Sequence, residues 1–241
     1  MRLRVLSINI HKGFDWRGQS RIHELRNAIL SVEPDIVFLQ EVHGKHLVEN
    51  FELETLADEI WHDHSYAQNS INSGGDYGNA ILSRYPIISS EFYDLSTNKL
   101  EKRNIQNAII DIEGNILSCF NTHLNILRSS RRKQLEEIRC YLNQKKLQYA
   151  ILAGDFNDLW QDSRELEKAI GFADSHYTIY GEYAKSFPSP IPFLRLDRLM
   201  TKGLEVNECK LLNDRIWKRL SDHLPIFCEI ILSDNEISSR S

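Results

Sequence analysis

Five short polar segments, each closing an apolar run, hold the side chains of this 241-residue chain best suited to chemistry. They are Ser7-Ile8-Asn9-Ile10, Leu39-Gln40-Glu41, Asn121-Thr122-His123-Leu124, Gly154-Asp155-Phe156-Asn157 and Ser221-Asp222-His223. Carboxylates, amides and imidazoles at the ends of apolar strands predict one cleft where those ends converge. Such groups suit a hard, oxygen-seeking cation and a phosphate ester.

Asp155 and Asn157 stand two residues apart, so an extended chain puts both side chains on one side. The carboxylate can align or deprotonate water, and the amide can donate to a phosphoryl oxygen or bind the metal. Alone, the same four residues read as an Asx turn ending a strand. Glu41 follows a wholly apolar run, where a carboxylate is costly unless paired or bound to a cation. Mg²⁺ takes one or two protein carboxylates and keeps several waters, which makes Glu41 the first candidate ligand. His223, beside Asp222, can be a metal ligand, a general base or a donor to developing charge. Asp197 interrupts the strand-like Leu196-Asp197-Arg198-Leu199 and needs a partner. That partner is either an imidazole it orients or a neighbouring arginine, Arg195 or Arg198. Asn9 and His123 end their strands with donors for phosphoryl oxygens.

The elements that must position these groups follow from periodicity. Strands are predicted over 2–10, 36–39, 78–83, 87–93, 105–112, 115–122, 150–153, 195–200, 205–212 and 226–232. Helical spacing marks 20–32, 47–60 and 129–142, and Pro34 closes the first of these. The all-apolar runs at 36–39 and 150–153 read as strands buried on both faces. Ser73-Gly74-Gly75-Asp76 reads as a loop, and 157–194 reads as irregular, with Pro188, Pro190 and Pro192. No internal repeat or linker is visible in the sequence. One domain over residues 1–233 is expected, followed by a polar tail over 234–241.

Bulk properties narrow the partners. The net charge of −5 argues against a strong nonspecific binder of nucleic acid. The four cysteines form no CxxC pair, which predicts reduced, buried thiols and a cytoplasmic setting. The chain enters a strand from its first residues and has no run near the roughly 20 apolar residues a membrane span needs, so a soluble, monomeric protein without a signal peptide is expected.

The five segments, in this order, resemble the endonuclease/exonuclease/phosphatase superfamily, whose fold is that of DNase I. Gly-Asp-Phe-Asn and Ser-Asp-His are the most specific pieces, and the likeness runs from about Leu3 to Ile230. It implies a four-layered α/β/β/α sandwich with two central mixed sheets and hydrolysis of a phosphoester that depends on Mg²⁺, or Mn²⁺ in its place. By motif, Glu41 is implied as the principal metal ligand and Asp222 as a further metal-side carboxylate. Asp155 is implied as the water-activating residue, with Asn157 as its companion amide and Asn9 in the first motif. His123 is implied to contact the scissile phosphate, and His223 is implied as the essential histidine, oriented by Asp197.

Three further residues are candidates for substrate binding. Asn79 follows a glycine loop and His11 follows Asn9. Arg103, in Lys102-Arg103, is either a phosphate-facing cation or half of a solvated charge pair. Nucleic acid and a phospholipid headgroup, including a sphingomyelin-type substrate, both remain open, as does an inactive scaffold role. The basic cluster Arg128, Arg131, Arg132 and Lys133 is expected to serve a nucleic-acid backbone or a peripheral membrane contact. The stretches around Gly78–Pro86 and 186–197 resemble a compact bacterial branch related to lipid-remodelling proteins, a pointer to lipid phosphodiesters. A phosphatase of multiply phosphorylated substrates should carry a dense cationic pocket, and no such run stands near the motifs.

Overall fold

Val, Leu and Ile at alternating or consecutive positions build the strands that end in polar residues. β1 (Arg2–Asn9) leads through α1 (Ile22–Ser31) to β2 (Ile36–His43). α2 (Glu52–Ala57), β3 (Asp63–Asn72), β4 (Gly75–Ser83) and β5 (Ile87–Asp94) follow. The hairpin β6 (Asn104–Ile112) and β7 (Asn115–His123) turns at Glu113-Gly114, then α3 (Arg128–Asn143) leads to β8 (Tyr149–Asp155). The remainder is α4 (Ser163–Ile170), β9 (Ala173–Asp174), α5 (Ser175–Tyr180), β10 (Asp197–Lys202), β11 (Glu205–Leu211) and β12 (Ile226–Ile231). The structure, a computed structural model, describes residues 1–43, 52–57, 60–72, 75–98 and 101–233.

The strands form two six-stranded mixed sheets, ordered β11-β12-β1-β2-β4-β3 and β5-β6-β7-β8-β10-β9. In each, a single parallel pair joined by a helix stands at the centre: β1 with β2 across α1, and β7 with β8 across α3. Position by position the two sheets repeat one topology, a repeat that leaves no trace in the sequence.

The inner faces share one core, in which Leu3, Phe38, Ile81, Ile110, Cys119, Ile151, Leu199 and Ile230 interdigitate. A second cluster seals α1 and α2 onto the outer face of the first sheet, with Leu25, Ile29, Leu53 and Trp61. A third seals α3 and α4 onto the second sheet, with Leu135, Ile138, Leu166 and Ile170. These layers make the α/β/β/α sandwich that the motifs implied.

Four elements were absent from the sequence reading: β3, α4, the two-residue β9 and α5. β3 is polar (Asp63-His64-Ser65-Tyr66-Ala67-Gln68) because it is an edge strand paired on one side only. α4 and α5 are short, and each stops at a glycine in the left-handed region, Gly171 and Gly181. The helix expected over 47–60 is described as Glu52–Ala57, and its residues 47–51 and 58–59 lie outside the described residues. So do Ser73-Gly74 of the expected loop and the tail 234–241, while Gly75 and Asp76 belong to β4. Three cysteines are buried as free thiols, but Cys140 is exposed. Among the described residues no helix is long and apolar enough to cross a membrane.

Candidate active site

Parallel strands joined by a crossover helix end at one edge of their sheet, and the loops there are where α/β folds place ligands. The ends of β1 and β2 therefore bring Asn9 and Glu41 together, and the ends of β7 and β8 bring His123 and Asp155 together. β10 runs antiparallel to β8 with Asp197 opposite Asp155. β12 runs antiparallel to β1, so the loop before it returns to Asn9, where the Ser221 hydroxyl donates to the Asn9 carbonyl at 2.7 Å. Four chain segments far apart in sequence thus meet over one carboxylate.

That carboxylate is Asp155, which is 1% exposed. Its Oδ2 accepts from Asn9 Nδ2 at 3.0 Å and lies 3.6 Å from His123 Nε2 and 3.7 Å from His223 Nε2. Its Oδ1 is fixed by the backbone N–H of Asn157 at 2.8 Å. A side chain at Gly154 would place its Cβ 1.9 Å from the Thr122 carbonyl oxygen, so only glycine lets β8 approach β7 this closely. Burial raises the Asp155 carboxyl above the usual range; the charge of Asp197 adds to this and that of His223 opposes it. A base near neutrality results.

His223 is held from behind. Its Nδ1 lies 2.8 Å from Asp197 Oδ2, and the buried Ser186 hydroxyl donates to the same oxygen. Phe187 packs its ring 4.8 Å from the imidazole. Burial opposes a charge on His223, but Asp197, Asp155 and Asp222 overcome it and lift the ring to about 10. Of the two partners open to Asp197 in the sequence, the structure selects the imidazole. Arg198 turns instead towards Asp158, at 3.7 Å. His123 moves the other way, held below the usual histidine range by burial and by Arg103, His223 and Lys12.

Glu41 does not follow a finished strand. β2 continues to His43 through a bulge between Leu39 and Val42, and Glu41 occupies it at φ 58°. Bulges re-aim side chains, and a non-glycine residue at positive φ is strained. The Glu41 carboxylate is one-fifth exposed, receives Asn9 Nδ2 at a long 3.4 Å and lies 4.0 Å from His123 Nδ1. Among the described residues no lysine or arginine pairs with it. A carboxylate with so little neutralisation, open on one side to water, fits a divalent cation that keeps part of its hydration shell. Asp155, Asp197 and His223 also offer ligand atoms within 4.8 Å of one another. There, however, His223 Nδ1 is already engaged by Asp197, and Asp197 also takes the Ser186 hydroxyl.

A sequence profile of the Endonuclease/Exonuclease/phosphatase family matches residues 6–223, a span that holds every one of these groups. The chain belongs to this family. Its relatives include the uncharacterized protein YbhP of Escherichia coli (strain K12), 36% identical over 95% of this chain and 96% of its own. Among solved structures, the mannosyl-6-phosphatase Bt3783 of Bacteroides thetaiotaomicron superposes with a TM-score of 0.71 at 22% identity, over 95% of this chain and 100% of its own. D. rerio TDP2, solved with a single-strand DNA product, also gives 0.71, at 18% identity over 96% and 99% of the two chains. Membership brings hydrolysis of phosphoesters as the chemistry of this fold.

The remaining candidates make contacts of their own. Asn157, at φ 48°, donates its side-chain amide to the Leu124 carbonyl at 2.9 Å and so braces the Asp155 loop. Asp222 meets the Ser221 hydroxyl at 3.3 Å and lies 3.9 Å from His11 Nδ1. Asn79 is fully buried in an amide ladder, accepting from Asn69 and donating to Asn104. Arg103 is not a solvated cation: it is 6% exposed, pairs with Glu101 at 2.6 Å and leaves Nη1 buried without a partner among the described residues.

Of the basic cluster on α3, Arg132 and Lys133 are exposed, whereas the two arginines at its start are engaged by carboxylates. Arg131 is fully buried 3.8 Å from Asp158, and Arg128 grips Asp162 with two hydrogen bonds of 2.9 and 2.8 Å. Sequence reasoning gave no role to Ser186, although it opens the 186–197 stretch singled out for its resemblance. It also passed over Gln40 and Asn121, which stand inside two of the quoted segments.

Proposed function

We propose that this chain hydrolyses a phosphodiester by direct attack of water, with Mg²⁺ held at Glu41. The observation that carries the reading is the convergence of Asn9, His123 and His223 nitrogens within 3.7 Å of one buried carboxylate oxygen of Asp155. Asp155 aligns a water and takes its proton as the new P–O bond forms and the ester P–O bond breaks. Its raised proton affinity matches that task. Asn9, held in place by Asp155, and the neutral His123 present donors to the phosphoryl oxygens. His223, kept protonated by the carboxylates around it, faces the charge that develops in the transition state. Asp197 and Ser186 hold its ring in one orientation. When bound, the cation neutralises charge on the phosphoryl oxygens and the leaving group.

The fold leaves the leaving group open, since relatives named for a DNA product and for a sugar phosphate share it. One feature favours a lipid phosphodiester among the alternatives. Ile126 and Leu127 after β7, Leu159 and Trp160 after β8, and Ile191 and Phe193 before β10 are all exposed, on loops at the edge of the second sheet that carries the site. Apolar loop tips of this kind suit a headgroup–acyl boundary.

The test is turnover of bis-p-nitrophenyl phosphate with Mg²⁺, beside supercoiled DNA and a phospholipid panel. Asp155→Asn should lower the rate by about 10²- to 10⁴-fold. Wild-type turnover by that variant would refute the assignment. Release of lipid headgroups without DNA nicking would select the lipid reading, and nicking lost in the variant would select the nuclease reading.

A further inference from the structure

The cationic pocket that the sequence lacks is present in the fold. It is a cavity of about 520 Å³ lined by Asp15, Trp16, Arg17 and Arg21 from the loop after β1 and by Arg215, Lys218 and Arg219 from the segment before β12, with Pro190 at its wall. Both segments adjoin the active site. The first follows Asn9 through the His11–Gly13 turn, and the second ends at Ser221-Asp222-His223. Pro190 follows Ser189, whose backbone N–H donates to the Asp222 carbonyl at 2.7 Å and whose hydroxyl donates to the Ser221 carbonyl at 2.6 Å. The pocket's walls are therefore tied to the segments that carry Asn9 and His223.

Its charge is unbalanced. The one acid in the lining, Asp15, is occupied by the backbone N–H groups of Arg17 and Gln19 at 2.8 and 2.9 Å and by Arg21 at 3.2 Å. Asp214, just outside, caps the N–H groups of Ile216 and Trp217. Arg21 also pairs with Glu24 at 3.1 Å. Arg17, Arg215, Lys218 and Arg219 have no carboxylate partner among the described residues. In a chain of net charge −5, four uncompensated cations around one cavity mark an anion site. Guanidinium forks match phosphate oxygens in pairs. The Trp16 indole, with the Arg17 guanidinium 4.5 Å over it, adds a flat wall for a ring carried by that phosphate.

We propose that this pocket binds a second, non-scissile phosphate group, so that the preferred substrate carries at least two phosphates. The inference rests on the hydrolase reading for its place in the reaction, but not for the binding itself. Calorimetric titration tests the binding, with thymidine 3′,5′-bisphosphate, glucose 1,6-bisphosphate and thymidine 5′-monophosphate as probes. Wild-type protein should bind the bisphosphates at least about tenfold more tightly than the monophosphate. Arg215→Gln/Arg219→Gln, at two exposed positions, should erase that margin, and Asp155→Asn should keep it. Equal affinity for one and two phosphates, or a margin untouched in the double variant, overturns the proposal. A nucleoside preference lost in Trp16→Ala assigns the site to nucleotides, and equal binding of both bisphosphates assigns it to phosphorylated sugars or headgroups. Either result supports a second-phosphate site. Turnover of bis-p-nitrophenyl phosphate, read in parallel, reports separately on the hydrolase reading.

Discussion

Asn121 is the side chain whose removal should test how the two sheets hold the site. It is fully buried at the inner face of β7, yet each of its polar contacts crosses to the other sheet. Its Nδ2 donates to the Leu39 and Ala80 carbonyls, each at 2.9 Å, and its Oδ1 accepts from Gln40 Nε2 at 2.8 Å. Asn121→Ala removes three hydrogen bonds worth about 1 kcal/mol each and strands the Gln40 donor at a further cost of about 1–3 kcal/mol. Among the described residues Gln40 Oε1 already lacks a partner, so the bond to Asn121 is the one that anchors this side chain there. The expected loss is about 4–6 kcal/mol, a large part of the roughly 5–15 kcal/mol that holds a domain folded. Urea unfolding followed by far-UV circular dichroism measures it. Because Gln40 adjoins the bulge at Glu41, turnover of the folded fraction should fall as well. A displacement of about 1 Å at a catalytic group costs on the order of 10²-fold. A stability loss below about 1 kcal/mol, with turnover intact, would refute the view that this amide locks the two sheets across the site.

Two further outcomes follow from individual carboxylates. Glu41→Gln should abolish the rise in melting temperature that millimolar Mg²⁺ gives the wild-type protein, since binding to the native state alone is what raises it. Equal Mg²⁺ stabilisation of both proteins would place the metal elsewhere. Glu167, buried on α4 against the Tyr183 hydroxyl at 3.1 Å, is pushed up to about 7 by burial and by Asp174, against the opposing effects of Tyr183 and Arg198. Between its ordinary value of 4.5 and about 7 the folded state holds a proton that the unfolded chain has lost. Stability from this group is therefore present below about pH 4.5 and lost as pH rises through 7, by about 3 kcal/mol in all. Urea midpoints of wild-type protein and Glu167→Gln across that window check it, and parallel pH profiles for the two would contradict the shift.

Much of the site was legible because its chemistry is local. Asn9, Glu41, His123, Asp155 and His223 each end or follow an apolar run, and the structure gathers all five. Strand-rich segments such as 105–112 and 226–232 were legible for the same reason: they bury apolar residues at a regular spacing. β3 was not, because an edge strand needs little apolar surface, and α4 was not, because Leu166 and Ile170 alone carry its buried stripe. The bulge at Glu41 has no signature in Leu39-Gln40-Glu41. It arises from the register that β2 must keep with β4 on either side of it.

The sequence by itself determined the kinds of groups this protein brings to chemistry and the order in which strands deliver them. Side-chain type and hydrophobic period are properties of neighbouring residues. Tertiary structure alone decided partners. Asp197 meets His223 rather than an arginine, Arg131 and Arg198 sink beside Asp158 rather than facing solvent, and residues 15–21 and 215–219 close around one cationic cavity. Periodicity reports which face of a strand is buried and nothing about which strand lies beside it. Pairings between distant segments are chosen by how two sheets pack into one core, and only that packing brings their charges together.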